Sequence, residues 1–436
     1  MKGYIALLAI SLGLRLVVFL LIDLPFSADV HLFQFWAVQL FEGGFGDFYC
    51  AEFFSDYPPL YMYVLWIVGA IRNIAGFEFL SREFNLLVFM PAIISDVAAT
   101  LLLYGLCRRA FGGALGSLGS LDSLGSSGSS GPLGSLDSTE FGMAFLIPLA
   151  YSLNPGVILN STIWGQVDGV HTLLLFLALY FVSKRQSLFP YLIYGAAVLT
   201  KPQSLIAAPV FLYSAFHYWK ERDYTFKAAL TMLAYAACTF LFMALVSMPF
   251  GLRAVFRQYF DTINQRPFAS INAYNFFALT GGIWQEITIF YALLSFVAIV
   301  GVTCMAFWLL HRHWNGAAVF FVAALLYVVT FIFSVRMNER YLFPALLFLL
   351  TSAVLARNKS DERLPVLYAA FSATFFINCL DVLLRTYDVQ LFTLGRPLPL
   401  VFRPIDEFIA LISAINVALA AYTLKIGRDI RTWTDF

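Results

Sequence analysis

The chain has 436 residues, of which 61% are hydrophobic and only 12% charged, about half the charged share of a soluble domain. A soluble fold of this size could not cover such a core with polar surface, and a net charge of +1 lacks the basic footprint that nucleic-acid binding needs. Apolar runs of roughly 20 residues, long enough to cross a hydrocarbon layer, recur along the whole sequence and set the class as all-α polytopic membrane protein. The five cysteines (Cys50, Cys107, Cys238, Cys304 and Cys379) show no CxxC and no zinc spacing, and four of them fall in or beside apolar helices.

In chain order, spans are expected near 3–22, 84–107, 141–156, 168–183, 187–200, 203–219, 226–248, 286–310, 316–335, 341–356, 364–384 and 405–424, twelve in all. The first carries Lys2 and no small-residue cleavage site, so it reads as an uncleaved helix. Two further apolar segments, 29–42 and 58–75, affect the parity of everything after them. Counting only the second as spanning would put Lys184-Arg185, Lys220-Arg222-Lys227, Arg357-Lys359-Arg363 and Lys425-Arg428-Arg431 outside, against the positive-inside rule. Laying both segments flat in the interface puts these clusters inside together with Arg108-Arg109. Residues 23–83 therefore read as one long external loop carrying two interfacial helices, with both termini cytoplasmic. Residues 116–138 are low-complexity and rich in glycine and serine, and read as a flexible cytoplasmic linker.

The charges left outside by this topology fall beside helix-breaking or polar motifs: Lys201 in TKPQ, Arg253, Arg257 and Arg266 after MPFG, and Arg336 and Arg340 in RMNERY. Snorkelling accounts for a few such residues. It does not account for the acids that meet them from the same side, Asp29, Asp47, Asp56, Asp168 and Glu339. A mixed-charge pocket against the outer membrane face points to an anionic lipid headgroup and acid–base chemistry.

Each motif has a plainer reading beside the chemical one. Asp29 suits the N-cap of an interfacial helix, or a carboxylate at the water–membrane boundary that takes a proton from a sugar hydroxyl. Asp56-Tyr57-Pro58-Pro59 suits the first turn of the second interfacial helix, and its rigid backbone also places Asp56 and Tyr57 beside the pocket. In Trp164-Gly165-Gln166-Val167-Asp168-Gly169 the indole suits an interfacial anchor, while Gln166 and Asp168 suit sugar hydroxyls. His171 falls one helical turn from Asp168 on the same face, as a structural partner or a catalytic one. Lys201 precedes a turn proline where the turn itself needs no lysine. Arg336 and Arg340 can grip a phosphate bidentately or pair with Glu339.

No Walker sequence and no strand-turn-helix GxGxxG is present, which argues against a nucleotide-sugar donor and for a donor already in the membrane on a phosphorylated lipid. The order of Asp29 and Trp36 in the first loop, then SDYPPLY, NSTIWGQVDG, LTKPQ and MNERYLFP, resembles the C-type (GT-C) superfamily of polyprenyl-phosphate-sugar-dependent glycosyltransferases. It is most similar to bacterial proteins related to the second mannosyltransferase of glycosylphosphatidylinositol assembly, and through DYPPL to the dolichyl-phosphate-glucose glucosyltransferases. The resemblance runs from about residue 1 to 360. Asn338 stands where many relatives have histidine before Glu-Arg-Tyr.

This resemblance implies a first external loop with membrane-parallel helices and an inverting, metal-independent transfer that needs no cofactor. Asp29 is then the general base, Arg336, Arg340 and Lys201 hold the donor phosphate, and Asp56, Tyr57, Trp164, Gln166, Asp168 and His171 orient donor or acceptor sugar. The expected partners are a polyprenyl-phosphate sugar, with mannose or glucose foremost, a glycan or glycolipid acceptor and membrane lipids. The expected place is a bacterial inner or plasma membrane with the site on its non-cytoplasmic face. The alternative is a lipid-linked-sugar flippase or secondary transporter. Transporters set their sites near the midplane on broken helices of repeated halves, whereas here the ionisable residues gather at one face and no internal repeat is evident. Reporter fusions test the parity. Those after Arg109, Arg185 and Lys359 should read cytoplasmic and those after Lys201 and Arg340 external, and reversal at any two sites overturns it.

Overall fold

The computed structural model describes residues 2–22, 28–50, 54–118, 134–184, 187–264, 266–356, 362–387, 391–393, 396–398 and 406–429. Helices dominate them: α1 Lys2–Leu21, α2 Ala28–Gly43, α3 Pro59–Ala75, α4 Arg82–Leu118, α5 Gly134–Ser152, α6 Pro155–Ile158, α7 Asp168–Lys184, α8 Leu188–Thr200, α9 Ala208–Lys220 and α10 Phe226–Ser247. They continue as α11 Leu252–Asn264, α12 Phe276–Leu279, α13 Ile289–Arg312, α14 Gly316–Phe333, α15 Phe343–Ala356, α16 Arg363–Tyr387 and α17 Asp406–Asp429. Two three-residue strands, β1 Leu391–Thr393 and β2 Arg396–Leu398, pair antiparallel between α16 and α17.

Eight helices among the described residues are long and apolar enough to cross a membrane, and a ninth crossing results if the pair Gly142–Ser152 and Pro155–Ile163, bent by 41°, counts as one. The other three of the twelve expected spans fall on α7, α8 and α9. At 17, 13 and 13 residues these fall short of the roughly 20 that a straight crossing needs. The breaks in this part of the chain have local causes. Pro155 starts α6 with Asn154 as N-cap, whose side chain accepts from Gly156 N, so the chain turns there instead of running on. Pro202 removes a donor just after α8 and forces a 3-10 turn before α9. Most of the expected linker 116–138 lies outside the described residues, α4 reaching Leu118 and α5 starting at Gly134.

The bundle has an inside and a lipid-facing outside. Along α14 and α15 nearly every side chain is buried, whereas α10 and α13 expose Leu233, Phe240, Leu245, Phe290, Phe296 and Val297. A helix apolar on all sides belongs either in such a core or against lipid, and both cases occur here. A second, smaller core forms where α2 and α3 pack on α1 and the start of α4, around Phe33, Trp36, Leu40, Tyr61, Leu65 and Phe84. The two segments expected as helices in the first loop thus form α2 and α3, paired face to face.

Their approach depends on Gly69. A Cβ there would lie 2.2 Å from the carbonyl oxygen of Ala37, which is backbone and cannot swing aside. Gly69→Ala should therefore separate α2 from α3 and cost roughly 1–3 kcal/mol, the usual penalty for overpacking. Thermal unfolding of the purified protein checks this, and a variant that melts with the parent would show that the pair is loosely packed.

Candidate active site

The site begins at an irregular connection. After α6 the chain makes a π turn over Leu159–Ile163, then a left-handed residue at Gly165 with φ 70°. Only glycine suits Gly165, because a Cβ would lie 2.1 Å from the Phe89 ring. The turn aims Gln166 and Asp168 back toward the first loop. Gln166 Nε2 donates to Asp29 Oδ2 at 2.8 Å, joining the first turn of α2 to a residue 137 positions away.

Asp168 starts α7 and is 1% exposed. Its Oδ1 accepts from Lys201 Nζ at 2.5 Å and lies 3.7 Å from His171 Nε2, while Asn160 Nδ2 donates to Oδ2 at 3.4 Å. Lys201 reaches it because α8 ends there in extended backbone, which turns the side chain into the bundle. His171 Nδ1 in turn meets Ser204 Oγ at 3.2 Å.

Arg340 completes the assembly from the turn between α14 and α15. Its Nη1 lies 3.0 Å from Asp29 Oδ2 and 3.4 Å from Glu339 Oε1, its Nε lies 3.9 Å from Asp168 Oδ2, and its guanidinium sits 5.1 Å from the centre of the Trp164 indole. Two cations and three carboxylates are thereby held in one network. Among the described residues the contacts of Asp29 all fall on Oδ2, which leaves the other carboxylate oxygen for a ligand.

Above the network lies a cavity of about 550 Å³, of a size that suits a substrate-sized ligand. Asp29, Asp56, Tyr57, Trp164, Lys201, Arg336 and Arg340 line it. Gln166, Asp168 and His171, expected to meet a sugar, are instead buried behind the wall and bear on the cavity through Asp29, Lys201 and Arg340. The physical reason is the inward turn of Lys201, which places its ammonium between Asp168 and the open space. Asp47 is exposed and takes no part in the lining.

The cavity also recruits residues that sequence reading missed or left unplaced. Glu339 and Asn338 come with the Arg340 turn. From α11, Gln258 and Tyr259 face inward, and Gln258 donates to the Ser55 carbonyl beside Asp56. The amphipathic pattern of 252–264, with Val255, Tyr259 and Thr262 on one face, was the available signal. Arg266 and Asn272 come from the segment between α11 and α12, and Trp284 from the turn after α12. Arg266 and Arg336 make no salt bridge among the described residues, so two guanidinium groups border the cavity without a carboxylate in contact. No cluster of three His, Cys, Asp or Glu among the described residues has the geometry of a metal site.

These surroundings displace the Asp56 carboxyl from its ordinary range. Burial, and secondarily the charge of Asp29, raises its carboxyl to about 6, against the pull of Arg266, Arg340 and Lys201. Below about pH 4 it is protonated folded or unfolded. As pH rises from there to 6 the unfolded chain releases a proton that the folded protein retains, so stability falls across that window and stays lower above it. Asp56→Asn should consequently raise the melting temperature at pH 8 and leave it unchanged at pH 4. An equal gain at both pH values would show that the carboxyl is not the cause.

Residues 54–337, more than half of the chain, match the family model of glycosyltransferase family 87. The chain belongs to that family. The match spans DYPPL, WGQVD and TKPQ and closes at the start of RMNERY, so most of the cavity wall falls within it. No curated protein matches the sequence. Among solved structures, the crystal structure of ArnT from Cupriavidus metallidurans in the apo state aligns over 98% of this chain and 77% of its own, with 12% identity and a TM-score of 0.45.

Proposed function

We propose that this family 87 membrane glycosyltransferase moves a hexose, mannose or glucose, from a polyprenyl-phosphate sugar to a lipid-linked or other extracytoplasmic glycan acceptor, with inversion. The observation that carries the reading is the composition of one cavity: a carboxylate fixed at one oxygen, Asp29, faces the same space as Arg266 and Arg336, two cations with no salt bridge among the described residues. A reaction that takes a proton from a hydroxyl and leaves behind a phosphate needs both.

In that reaction the acceptor hydroxyl oxygen bonds to the anomeric carbon from the face opposite the lipid phosphate. Its proton passes to the free oxygen of Asp29, and the bond from the anomeric carbon to the phosphate oxygen breaks with its electron pair leaving on the phosphate. Arg336, with Arg340 and Lys201, stabilises that developing charge; guanidinium forks match phosphate geometry. Gln166, Asp168 and His171 act from behind. Gln166 orients Asp29, while Asp168 and His171 hold Lys201 and Arg340 in place. Asp56 and Tyr57, beside Asp29 on the cavity wall, orient a sugar.

Purified protein in lipid nanodiscs, given radiolabelled polyprenyl-phosphate mannose, glucose or arabinose with a bacterial glycolipid extract, tests the reading. Labelled product from the mannose or glucose lipid supports it, while transfer only from the arabinose lipid, only from a soluble nucleotide sugar, or from no donor, overturns it. Asp29→Asn keeps the shape and the bond from Gln166 but accepts no proton, so turnover should fall ~10²–10⁴-fold. Arg336→Ala should raise the donor KM by roughly tenfold or more, the value of a lost charge-assisted hydrogen bond. Arg340→Ala should depress binding and turnover together, because that side chain also orients Asp29. An Asp29→Asn enzyme within a few-fold of the parent would move the base to Asp56.

A further inference from the structure

The wall opposite the first loop is more elaborately built than a loop between two helices requires. Residues 268–271 bind two neighbouring segments through backbone hydrogen bonds: Trp284 N donates to Ser270 O at 2.8 Å, Arg336 N to Phe268 O at 3.1 Å, and Ile271 N to Met337 O at 3.0 Å. Trp284 and Arg336 both have positive φ, 56° and 65°, in a region that bulky side chains rarely enter, and both line the cavity. Such backbone persists only where surrounding bonds over-determine it, and it concentrates at ligand-handling positions.

The last two helices supply that over-determination. Asn378 of α16 clasps the loop at two points, accepting from Tyr274 N and donating to Asn272 O, each at 2.9 Å. Asn416 of α17 donates to Tyr274 O at 2.8 Å. The Tyr274 hydroxyl donates to the buried Asp381, which also takes Arg385. With its backbone fixed, Asn272 turns its side chain to the cavity, and its Oδ1 accepts from Trp284 Nε1 at 3.1 Å. An indole N–H only donates, so the amide oxygen must face it and the Nδ2 group points elsewhere. No described residue accepts from that Nδ2.

We propose that Trp284 and Asn272 form a subsite for a pyranose ring. The indole is 49% exposed, set edge-on against Phe268 with ring centres 5.1 Å apart, and bonded at its nitrogen, so it offers a flat face of fixed orientation. An aromatic face carries partial negative charge that suits the C–H face of a sugar ring. The adjacent planar amide supplies a donor for a ring hydroxyl. A polyprenyl tail would use the indole but leave the amide unanswered. A membrane-anchoring tryptophan would turn its N–H to headgroups, whereas this one is spent inside the cavity wall. The inference rests on the glycosyl-transfer reading, and the ring comes from either donor or acceptor.

Saturation-transfer NMR on the full-length protein in deuterated nanodiscs tests it by binding alone. The probes are methyl α-mannoside, methyl β-glucoside and their disaccharides at millimolar concentration. Wild type should transfer saturation to at least one probe. Trp284→Ala and Asn272→Ala should each lose more than about tenfold of it, and Trp284→Phe should keep part, because a ring remains. Trp66→Ala, on α3 away from the cavity, should match wild type. A saturating short-chain isoprenyl-phosphate sugar distinguishes the sources: it abolishes the signal if the ring is the donor's and leaves it if the acceptor's. Trp284→Ala with undiminished transfer, or with only a lowered melting temperature, overturns the subsite, as does absence of binding in wild type. Binding that depends on Trp284 in a protein that transfers no sugar overturns the function instead.

Discussion

A guanidinium taken largely out of water must be surrounded by anions, and Arg340 finds them on three segments far apart in sequence. Asp29 starts α2, Asp168 starts α7, and Glu339 is its own neighbour in the turn before α15, with oxygens at 3.0, 3.9 and 3.4 Å. Removing Arg340 would leave those carboxylates short of a buried counter-charge, which costs far more than any one pair contributes. The first loop, the WGQVD turn and the RMNERY turn are therefore positioned by one another. Lys201 ties the fourth, TKPQ, to the same network through Asp168.

That network explains why helices around the site are short and irregular. The π turn at 159–163, the extended residue at Lys201 and the 3-10 turns at 202–207 and 339–342 all fall where backbone must bring a polar side chain to this point. Unbroken spans would carry the same residues past one another. The long helices α10 and α13 make no such contribution and keep their apolar faces outward, while α14 and α15 form the packed centre against which the irregular segments are set.

How far the sequence discloses this depends on the kind of interaction. Burial of apolar surface is written in composition and periodicity, so the long helices and the helical character of 29–42 and 58–75 were legible. The placing of external charges and acids on one face likewise marked Asp29, Lys201, Arg336 and Arg340 for one region. Hydropathy placed α7 and α8 at their observed ends, but it did not show the 3-10 turn after Pro202 that makes α9 start at Ala208 instead of near 203. Nor could it show which polar residues face space and which face one another, since that turns on the direction of Lys201. Least legible was the loop from Arg266 to Trp284. Its order comes from Asn378 and Asn416, more than 100 positions later, and no local pattern encodes a bond across that distance.

The charge arithmetic of the cavity gives the arrangement its chemical sense. Asp29, Asp168 and Glu339 against Arg340 and Lys201 leave one negative charge, and Asp56 adds a second as it ionises near pH 6. Arg266 and Arg336 restore neutrality without a salt bridge to a carboxylate among the described residues. A site whose cations were all paired would have to break a buried ion pair to receive an anion, and one whose cations were all free would neutralise any base beside them. Here Lys201 and Arg340 are committed to carboxylates and keep Asp29 in position, while Arg336 is held at a strained φ by the Phe268 carbonyl and stays uncommitted. The division gives rigidity to the carboxylate and leaves cationic capacity open in the same cavity. A transfer that takes a proton from an acceptor hydroxyl and leaves a phosphate on the donor would use both.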